Sequence, residues 1–539
     1  MGRVTLVAIA AVSALALASV GRSASTLCVG GPHCYATVQA AVNAAHHGDT
    51  VRVGPGTFAG GTTITKSINL VGVAAAASSI SGGGPVVTIG SRTSAPTVTL
   101  ANLTITGGVT TSNPQAPGCG PDVPRCGPGY ADATALGGGI EAFQGTTVTI
   151  SRSVITGNRA VPTLSTASVK AVCPGPAPCP ASFGDAAGID NWGTMTIVDS
   201  TVSDNYAAAV QSDGGGIANE HDASLTLLNS RVTGNSANAV GPFGRFVQAG
   251  GILSDHDSTL TIEGSNIDGN SANLTSSIPH PYPLQDGGTD QTNAFSGGIH
   301  MNDGAVATIR NSTLNGNSIT VNNPYGEPWG GDAAMCACGS AKVTLVNAQV
   351  KGNSVTFNDL DTADTGPEGP SAFEADSDAT IENVQFTHNT MTVTALNGDA
   401  GALGTLMFLF GGDNPPTISD SSISDNVATA SAPQGAATVQ GVGIANNGPL
   451  TLTRADVERN HGVATGLSGW ARGGGIWNGV IFGGPDSPLT LIDSQVKNNV
   501  LEGSAGITLQ GGGIFTPAFP LTLTSSSVKH NTPDNCFGC

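Results

Sequence analysis

The sequence predicts an all-β fold, a parallel β-helix with three strands in each coil. A phrase of three short apolar runs recurs through most of the chain, and its clearest copy spans residues 214–235. Eleven copies place an Asn nine positions after a Thr, and successive Asn residues are 30 to 47 positions apart. Aromatic residues make up only 4% of the chain, whereas a β-propeller needs four antiparallel strands per blade and more aromatic residues. The regular apolar runs also argue against a disordered chain.

The first segment, residues 1–24, has the features of a secretory signal peptide. Arg3 provides the basic start, an apolar run extends from Val4 to Ala18, and small residues follow. This run is short for a membrane span, which needs ~20 residues. We therefore expect a secreted, extracellular protein with no transmembrane segment after the signal is removed.

The rest of the chain divides into a cap, the coils and a tail. Residues 25–60 are predicted to form an N-terminal cap, in which Tyr35 to His47 reads as a short amphipathic helix that covers the open end of the strand stack. Residues 61–533 carry the repeated phrase and are predicted to form the β-helix. Residues 534–539 are predicted to form a tail closed by a disulfide.

The columns of repeated residues explain how the coils stack. Strands of adjacent coils lie ~4.8 Å apart, so each position of the phrase forms a column along the axis. Inward columns of Val, Ile and Leu form the core, and Gly-Gly permits the turn into the next strand. The Asn column lies where the chain turns, because Asn tolerates the left-handed conformation and can bond the coils above and below. It comprises Asn158, Asn205, Asn235, Asn270, Asn317, Asn353, Asn389, Asn426, Asn460, Asn499 and Asn531.

The ten cysteines mostly lie in close local pairs, which an exported chain would join as disulfides. Cys336 and Cys338 differ, because two residues apart on one strand their Cα atoms would be ~6.5–7 Å apart, at the limit for a bridge. With His300 they offer zinc ligands, but Cys-x-Cys lacks the usual ligand spacing, so no metal site is assigned. The other pairs are Cys28 with Cys34, Cys119 with Cys126, Cys173 with Cys179, and Cys536 with Cys539.

The formal net charge of −19 bears on the class of partner. An acidic surface repels phosphate backbones, so nucleic acid is excluded as a partner. The same charge is compatible with bound cations and with neutral or cationic substrates.

On these residues the chain resembles the right-handed parallel β-helix, or pectate-lyase-like, superfamily. The segments 37–51 and 54–58 are similar to the N-terminal start of its secreted members, and the Gly-Gly-Ile and Asn repeats resemble polymorphic outer-membrane-protein-type repeats. The resemblance implies a single-stranded right-handed coil, with a substrate groove on the strand that follows long loops. It does not choose an activity, since fold does not determine function. Neither the Arg base of pectate lyases nor the Asp-Pro-His motif of epimerases is matched on that strand.

Insertions occur between the Asn and the next Gly-Gly strand. They lie on the side of the coil where the resemblance implies a substrate groove. We expect them to be loops that form a wall beside the strand, whose outer face is then the place to look for chemistry. The insertions are 159–187, 236–249, 271–296, 318–331 and 354–371.

Three consecutive coils carry acids and histidines on or directly after that strand. Acids on adjacent coils would be about 5 Å apart, so the pKa of one should rise unless a cation intervenes. Such acids suit general acid catalysis, and His suits proton transfer. The candidate catalytic residues are Glu220, His221, Asp222, Asp255, His256, Asp257, His300 and Asp303. The candidate substrate-binding residues are Trp192, Asp190, Asn302 and Glu374.

Three interpretations of this cluster stay open. His221 or His256 would carry the proton, with Asp255 or Glu220 as the second group, and a carboxylate pair ~5–5.5 Å apart would suit retaining glycoside hydrolysis. The same oxygens would suit Ca²⁺ as a cofactor. Asp, Asn and His are also common in turns, where their side chains bond the backbone and perform no chemistry.

These observations predict a secreted, monomeric β-helix that binds or processes extracellular polysaccharide beside the insertions. If it is an enzyme, it is a polysaccharide lyase, a glycoside hydrolase or an epimerase. The alternative is a non-catalytic surface or adhesion scaffold that presents loops to a protein or glycan partner.

Overall fold

The structure is a computed structural model of the chain. It describes residues 23–111, 134–162, 183–209, 211–240, 246–275, 291–323, 327–359, 365–367, 369–376, 378–409, 414–480 and 487–539. Nearly all of the predicted signal peptide lies outside these residues, and so do the predicted disulfides of Cys119 with Cys126 and Cys173 with Cys179. Disulfides join Cys28 to Cys34, Cys336 to Cys338, and Cys536 to Cys539.

The prediction of an all-β fold of stacked parallel strands is confirmed. The strands of successive coils pair in parallel and form three sheets that run along the whole stack. Sheet I contains the strand that follows each Gly-Gly. Its strands are Thr62–Ile64, Val87–Ile89, Ile140–Ala142, Ile189–Asn191, Ile217–Asn219, Ile252–Ser254, Ile299–Met301, Met335–Ala337, Phe373–Ala375, Leu406–Leu409, Ile444–Asn447, Ile476–Asn478, Ile514–Phe515 and Cys536–Phe537.

Sheet II contains the strand with the repeated Thr-aliphatic pattern. In Thr147–Ser151, for example, Val148 and Ile150 point into the core while the flanking Thr side chains face outward. Its strands are Thr26–Val29, Thr50–Val53, Asn69–Gly72, Thr97–Ala101, Thr147–Ser151, Thr194–Val198, Ser224–Leu228, Thr259–Glu263, Val306–Arg310, Lys342–Val346, Ala379–Glu382, Thr417–Ser419, Leu450–Thr453, Leu489–Ile492 and Leu521–Thr524.

Sheet III contains the short strand that precedes the Asn column, and each of its strands directs one apolar side chain inward. Its strands are Gly56–Ala59, Ser78–Ser81, Thr104–Thr106, Val154–Thr156, Thr201–Ser203, Arg231–Thr233, Asn266–Asp268, Thr313–Asn315, Gln349–Lys351, Gln385–Thr387, Ser422–Ser424, Asp456–Glu458, Gln495–Lys497 and Ser527–Lys529. The inward side chains of the three sheets make one continuous hydrophobic core, from Val29 to Ile514.

The Asn column is a buried hydrogen-bonded ladder. The side-chain amide of Asn317, for example, donates to Asn353 Oδ1 at 3.2 Å and to the backbone oxygen of Ile267 at 2.9 Å. Its own Oδ1 accepts from Asn270, so a fully buried amide is satisfied. The left-handed conformation, however, falls on the residue before each Asn, such as Gly316 with φ 62°. The Asn is therefore selected for its amide and not for its backbone conformation.

The insertions are not simply loops, which corrects the expectation from sequence. Their described parts form two further parallel sheets. Sheet IV follows the Asn column and comprises Val109–Thr110, Arg159–Ala160, Tyr206–Ala209, Ser236–Ala239, Ser271–Thr275, Ser318–Asn323, Ser354–Asp359, Thr365–Pro367, Thr390–Ala395, Ala400–Leu403, Val427–Gln440, His461–Arg472, Val500–Gly503 and Ile507–Gln510. Sheet V precedes the Gly-Gly and comprises Thr134–Leu136, Phe183–Asp185, Gln211–Asp213, Phe246–Gln248, Gln291–Phe295 and Glu327–Gly331.

Sheets IV and V enclose a second hydrophobic core beside the first. It is built from alternating side chains, such as Ala272 and Leu274 in Ser271–Thr275, packed with Val247 and Ala294 of sheet V. In the later coils the two sheets merge, because the single strand Val427–Gln440 pairs with sheet IV strands over both of its halves. A second lobe thus lies along the coils.

The described residues contain one α-helix, Val38–Ala44, which is shorter than the predicted span of 35–47. The Thr37 hydroxyl accepts from the Ala40 N–H and caps its first turn. Val38, Ala41 and Val42 are buried in the main core against the first strands. The part of the chain that the structure describes has no helix with the length and apolarity needed to cross a membrane.

Candidate functional site

The outer face of sheet I is covered by the second lobe over part of its length. The chain enters each sheet I strand from sheet V through a left-handed residue, such as Gly214 with φ 56° or Asp332 with φ 69°. A Cβ on Gly214 would lie 3.2 Å from the Ala218 Cβ and 2.7 Å from Asp185 Oδ1. The sheet V strand therefore folds back over the outward side chains of the sheet I strand that follows it, and buries them outside the main core.

One column of outward side chains carries most of the polar groups of sheet I. Strand register aligns Glu141, Asp190, Ala218, Leu253, His300, Cys336, Glu374 and Met407. The residues two positions later in each coil point to the same side. They include Trp192, Glu220, Asp255, Asn302, Cys338 and Asp376.

A cavity of ≈300 Å³ opens on this face. It is lined by Gln248, Phe295, His300, Asn302, Cys338, Glu374, Asp376 and Leu409. Three residues predicted from sequence, His300, Asn302 and Glu374, are therefore brought to one cavity. We call His300, Asn302, Asp332, Glu374 and Asp376 the cavity cluster.

His300 is a buried, neutral member of the cavity cluster. Its Nδ1 lies 3.2 Å from Ser296 Oγ, and the Phe295 ring is 5.8 Å from the imidazole. Burial lowers the pKa of His300 to about 3, because desolvation disfavours the imidazolium. At neutral pH this side chain is therefore a hydrogen-bonding group and not a strong base.

Three carboxyl groups converge at the cavity. Burial, followed by the charges of Asp332 and Asp376, raises the pKa of Glu374 well above its usual range. Burial likewise raises the pKa of Asp332, which is fully buried. Burial also raises the pKa of Asp376, but the Gly339 N–H donates to its Oδ2 at 2.8 Å and opposes that rise. Glu374 is thus held as the acid, and Asp376 has the environment that best supports a carboxylate.

A second group of predicted residues lies in the turns that follow sheet I. We call His221, Asp222, Asp255, His256, Asp257 and Asp303 the turn cluster. All except Asp255 have positive φ, between 24° and 59°, and successive turns are bonded through the backbone, as from the Asp257 N–H to the Asp303 oxygen at 2.9 Å. Asp, Asn and His favour such turns because their side chains bond nearby backbone groups.

The rings of the turn cluster stack along the axis. Trp192 lies 5.1 Å from His221, and His221 lies 4.1 Å from His256, measured between ring centroids. His256 Nδ1 is 2.8 Å from Asp255 Oδ2, and its Nε2 is 3.6 Å from Asp303 Oδ2. Burial raises the pKa of Asp255, whereas the charge of His256 opposes the rise. The side chain of His256 is 45% exposed, so this arrangement faces solvent.

The remaining predicted residues lie upstream of the cavity. The Trp192 Nε1–H donates to Asp190 Oδ1 at 2.7 Å. Burial, followed by the charges of Asp185 and Glu141, raises the pKa of Asp190 well above its usual range. Glu220 is also buried, in the same column as Trp192. These residues form a buried acidic stretch of the outer face that continues toward the cavity.

Sequence analysis assigned no role to Asp332 or Asp376. Asp376 follows Glu374 by two positions, so strand alternation alone places both on one side. Asp332 occupies the left-handed position before the strand, where other coils have Gly214, Ala249 or Ser296. An acidic residue at that position departs from the small residues of the other coils, and this departure is readable from the sequence. Its approach to Glu374, however, depends on how sheet V folds back over sheet I.

Among the described residues, three combinations of side chains can offer ligand atoms to one metal ion, with all of those atoms within 4.8 Å of one another. One is the exposed trio Asp255, His256 and Asp303 of the turn cluster. The others share the two cysteines in the column, and they are His300 with Cys336 and Cys338, and Asp332 with Cys336, Cys338 and Glu374.

No protein-family model matches the chain, and no curated protein matches it either. The fold and the geometry of the outer face of sheet I are thus the observations on which a function can be argued.

Proposed function

We propose that this chain is a secreted carbohydrate-active protein of the pectate-lyase-like superfamily that binds extracellular polysaccharide along the outer face of sheet I. We further propose that it hydrolyses a glycosidic bond at the cavity cluster. The observation that supports this most directly is the cavity of ≈300 Å³, in which His300, Asn302, Glu374 and Asp376 are exposed to one ligand-sized space.

The two carboxyl groups of one strand support acid–base chemistry. Burial raises the pKa of Glu374, which is the direction that favours the protonated form a general acid needs. In the proposed reaction it donates its proton to the leaving oxygen as the bond from that oxygen to the anomeric carbon breaks. A water oxygen forms the new bond to that carbon and the proton of this water passes to solvent, while Asp376, which lies in hydrogen-bond contact with Glu374, positions that acid. Proton transfer by such an acid accelerates a reaction by roughly 10²–10⁴-fold.

The neutral groups of the cavity support recognition of sugar hydroxyls. Asn302 offers both a donor and an acceptor, and neutral His300 offers its second ring nitrogen. Phe295 and Leu409 provide apolar surface, of the kind that packs on a sugar face. Because the chain carries a net charge of −19, a neutral polysaccharide is favoured over an acidic one.

The test is turnover of a panel of neutral and acidic polysaccharides by the exported chain, with and without Ca²⁺. New reducing ends report hydrolysis, and the absorbance of unsaturated products reports a lyase. We expect reducing ends from a neutral polysaccharide, their loss in Glu374→Gln, and retention of activity in a matched His221→Ala, His256→Ala double variant.

Other results would contradict this assignment. Detection of unsaturated products would show that the glycosidic bond is cleaved by elimination and not by hydrolysis. Loss of turnover in the double variant, with Glu374→Gln unaffected, would move the chemistry to the turn cluster. Binding of a polysaccharide without turnover on any substrate would favour the non-catalytic scaffold.

A further inference from the structure

Two cysteines occupy the outward column between the cavity histidine and the cavity acid. Strand register pairs Cys336 with His300 on one side and with Glu374 on the other. Cys336 is fully buried, whereas Cys338 lines the cavity. The two sulfurs are bonded to each other in the structure. The cavity thus gives a small molecule access to the pair at Cys338.

Asp332 is a buried carboxyl group aimed at these sulfurs. It is fully buried, neither of its oxygens has a partner at full hydrogen-bond geometry among the described residues, and the carboxyl that interacts with it, Glu374, is itself a buried acid. Burying a carboxylate without compensation is unfavourable, so such a group stays protonated unless a cation binds beside it. Asp332, Cys336, Cys338 and Glu374 each offer a ligand atom, and these atoms lie within 4.8 Å of one another.

We propose that reduction of the Cys336–Cys338 disulfide converts this position into a Zn²⁺ site with Cys336, Cys338, Asp332 and Glu374 as ligands. This inference does not rest on the proposed glycan chemistry. An external dithiol reduces the disulfide and is itself oxidised to a disulfide, which leaves two thiols. Zn²⁺ then replaces the two thiol protons and the protons held by Asp332 and Glu374, and all of these protons are released to solvent.

The donor set selects zinc over the hard cations. Ca²⁺ and Mg²⁺ prefer an all-oxygen shell, whereas Zn²⁺ accepts thiolate sulfur and carboxylate oxygen in a tetrahedron. Bond lengths of ~2.0–2.3 Å require ligand atoms ~3.3–3.8 Å apart. The two sulfurs, which are bonded to each other in the disulfide, therefore separate on reduction, and the carboxylate oxygens, already within 4.8 Å of them, close around the ion. His300 lies close enough to both sulfurs to replace one carboxylate. The bonded sulfurs are not thiolates, so the disulfide and the zinc site exclude each other.

The test measures Zn²⁺ binding to the full chain, oxidised or reduced with dithiothreitol under anaerobic conditions and cleared of metal. A competing chromophoric chelator reports stoichiometry and affinity. We expect the reduced chain to bind one more Zn²⁺ than a reduced Cys336→Ser, Cys338→Ser variant. A matched Cys28→Ser, Cys34→Ser variant lacks a different disulfide and should keep the additional ion. The oxidised chain should not bind it.

The carboxylate ligands are tested while every thiol is present. Asp332→Asn should weaken the additional site by at least 10-fold, since the amide oxygen is a poorer ligand than the carboxylate, and Co²⁺ in the reduced chain should show thiolate charge-transfer absorbance that this variant alters. Equal Zn²⁺ binding by the reduced chain and the Cys336→Ser, Cys338→Ser variant would overturn the proposal. So would unchanged affinity in both Asp332→Asn and Glu374→Gln. If the serine variant does not fold, the asparagine variant and the Co²⁺ spectrum decide the question.

Discussion

The cavity cluster and the turn cluster meet in the coil that carries His300 and Asp303 and otherwise lie in neighbouring coils, yet they have opposite environments. His300 in the cavity is 2% exposed, whereas the side chain of His256 in the turn cluster is 45% exposed. The cause is the second lobe, because sheet V covers the outward face of the sheet I strands but not the turns that follow them. In the coil that the clusters share, three positions separate buried His300, whose pKa burial lowers to about 3, from Asp303, whose side chain is 55% exposed.

A row of acids and histidines in a β-helix is therefore a candidate for chemistry only where another layer of structure buries it. The repeated turns select Asp and His for their backbone conformation, so the turn cluster has a structural reason to exist. No such reason applies to Glu374. Its burial beside Asp332 and Asp376 disfavours the ionised carboxylate, so ionisation of Glu374 lowers the stability of the folded chain. Groups kept at a cost to stability are the better candidates for function.

The largest expected effect is on turnover, which should distinguish the cavity cluster from the turn cluster. Glu374→Gln keeps the size of the side chain and removes the acid, so turnover on the active polysaccharide should fall by about 10²–10⁴-fold. Asp303→Asn makes the same chemical change in the turn cluster, and turnover should change less than about threefold. Initial rates at saturating substrate measure both, with circular dichroism to show that the variants are folded. Equal losses in the two variants would remove the distinction between the clusters.

The sequence predicted the coils well because their determinants are local and repeated. The Thr-aliphatic alternation defines sheet II, and the amide of Asn317 has the same partners as its equivalents in other coils. It did not predict sheets IV and V, although strands such as Thr390–Ala395 show the alternation of buried Met391, Val393 and Ala395. Insertion lengths vary from coil to coil, and this variation hid the alternation from a search for a fixed repeat.

The site was predicted in part for the same reason. His300, Asn302 and Glu374 were found because they follow the Gly-Gly in register, and the cavity brings them together. Asp332 was missed because its approach to Glu374 depends on the left-handed bend from sheet V, which is a tertiary feature. His221 and His256 stand out most clearly in the sequence, and they recur because the turns that follow sheet I favour such residues.

A second prediction tests the boundary between the clusters at Trp192, which bonds Asp190 on its buried side and stacks on His221 on its exposed side. Trp192→Phe keeps an aromatic ring and removes the Nε1–H donor. Loss of the donor leaves a buried carboxyl oxygen unsatisfied, which costs about 1–3 kcal/mol, so the free energy of unfolding should fall by ~1–3 kcal/mol. Urea unfolding at neutral pH measures it. His221→Ala, which removes the stack and keeps the Nε1–H donor of Trp192, is the control and should cost less than Trp192→Phe.

A third prediction concerns pH. The raised pKa values of Asp190, Asp332 and Glu374 mean that the folded chain holds protons that the unfolded chain releases. Stability should therefore be greatest near the usual carboxyl range of pH ~4 and fall as pH rises through the folded pKa values, by about 1.4 kcal/mol per pH unit for each such proton.

Thermal unfolding from pH 4 to pH 8 measures this slope, and Asp332→Asn should flatten it by removing one buried acid. Asp303→Asn, in the exposed turn, should leave the slope unchanged. The carboxyl of Asp425, whose pKa is lowered by its pair with Arg459, acts in the opposite direction and only below the usual carboxyl range. A stability that rises from pH 4 to pH 8 would contradict the burial of three protonated acids.

The smallest expected effect belongs to the turn cluster itself. His256→Ala removes a ring that stacks on His221 at 4.1 Å and a contact of its Nδ1 with Asp255 Oδ2 at 2.8 Å. Both contacts are made by an imidazole that is 45% exposed, and pairs of this kind contribute about 0.2–1 kcal/mol, so the free energy of unfolding should change by about 0.5 kcal/mol or less. The matched buried variant, His300→Ala, leaves a cavity beside Phe295 and the Ser296 hydroxyl without its partner, and should cost at least three times as much. If the two variants were equally destabilising, the stacked rings would support the turns, and burial by sheet V would no longer explain how the two clusters differ.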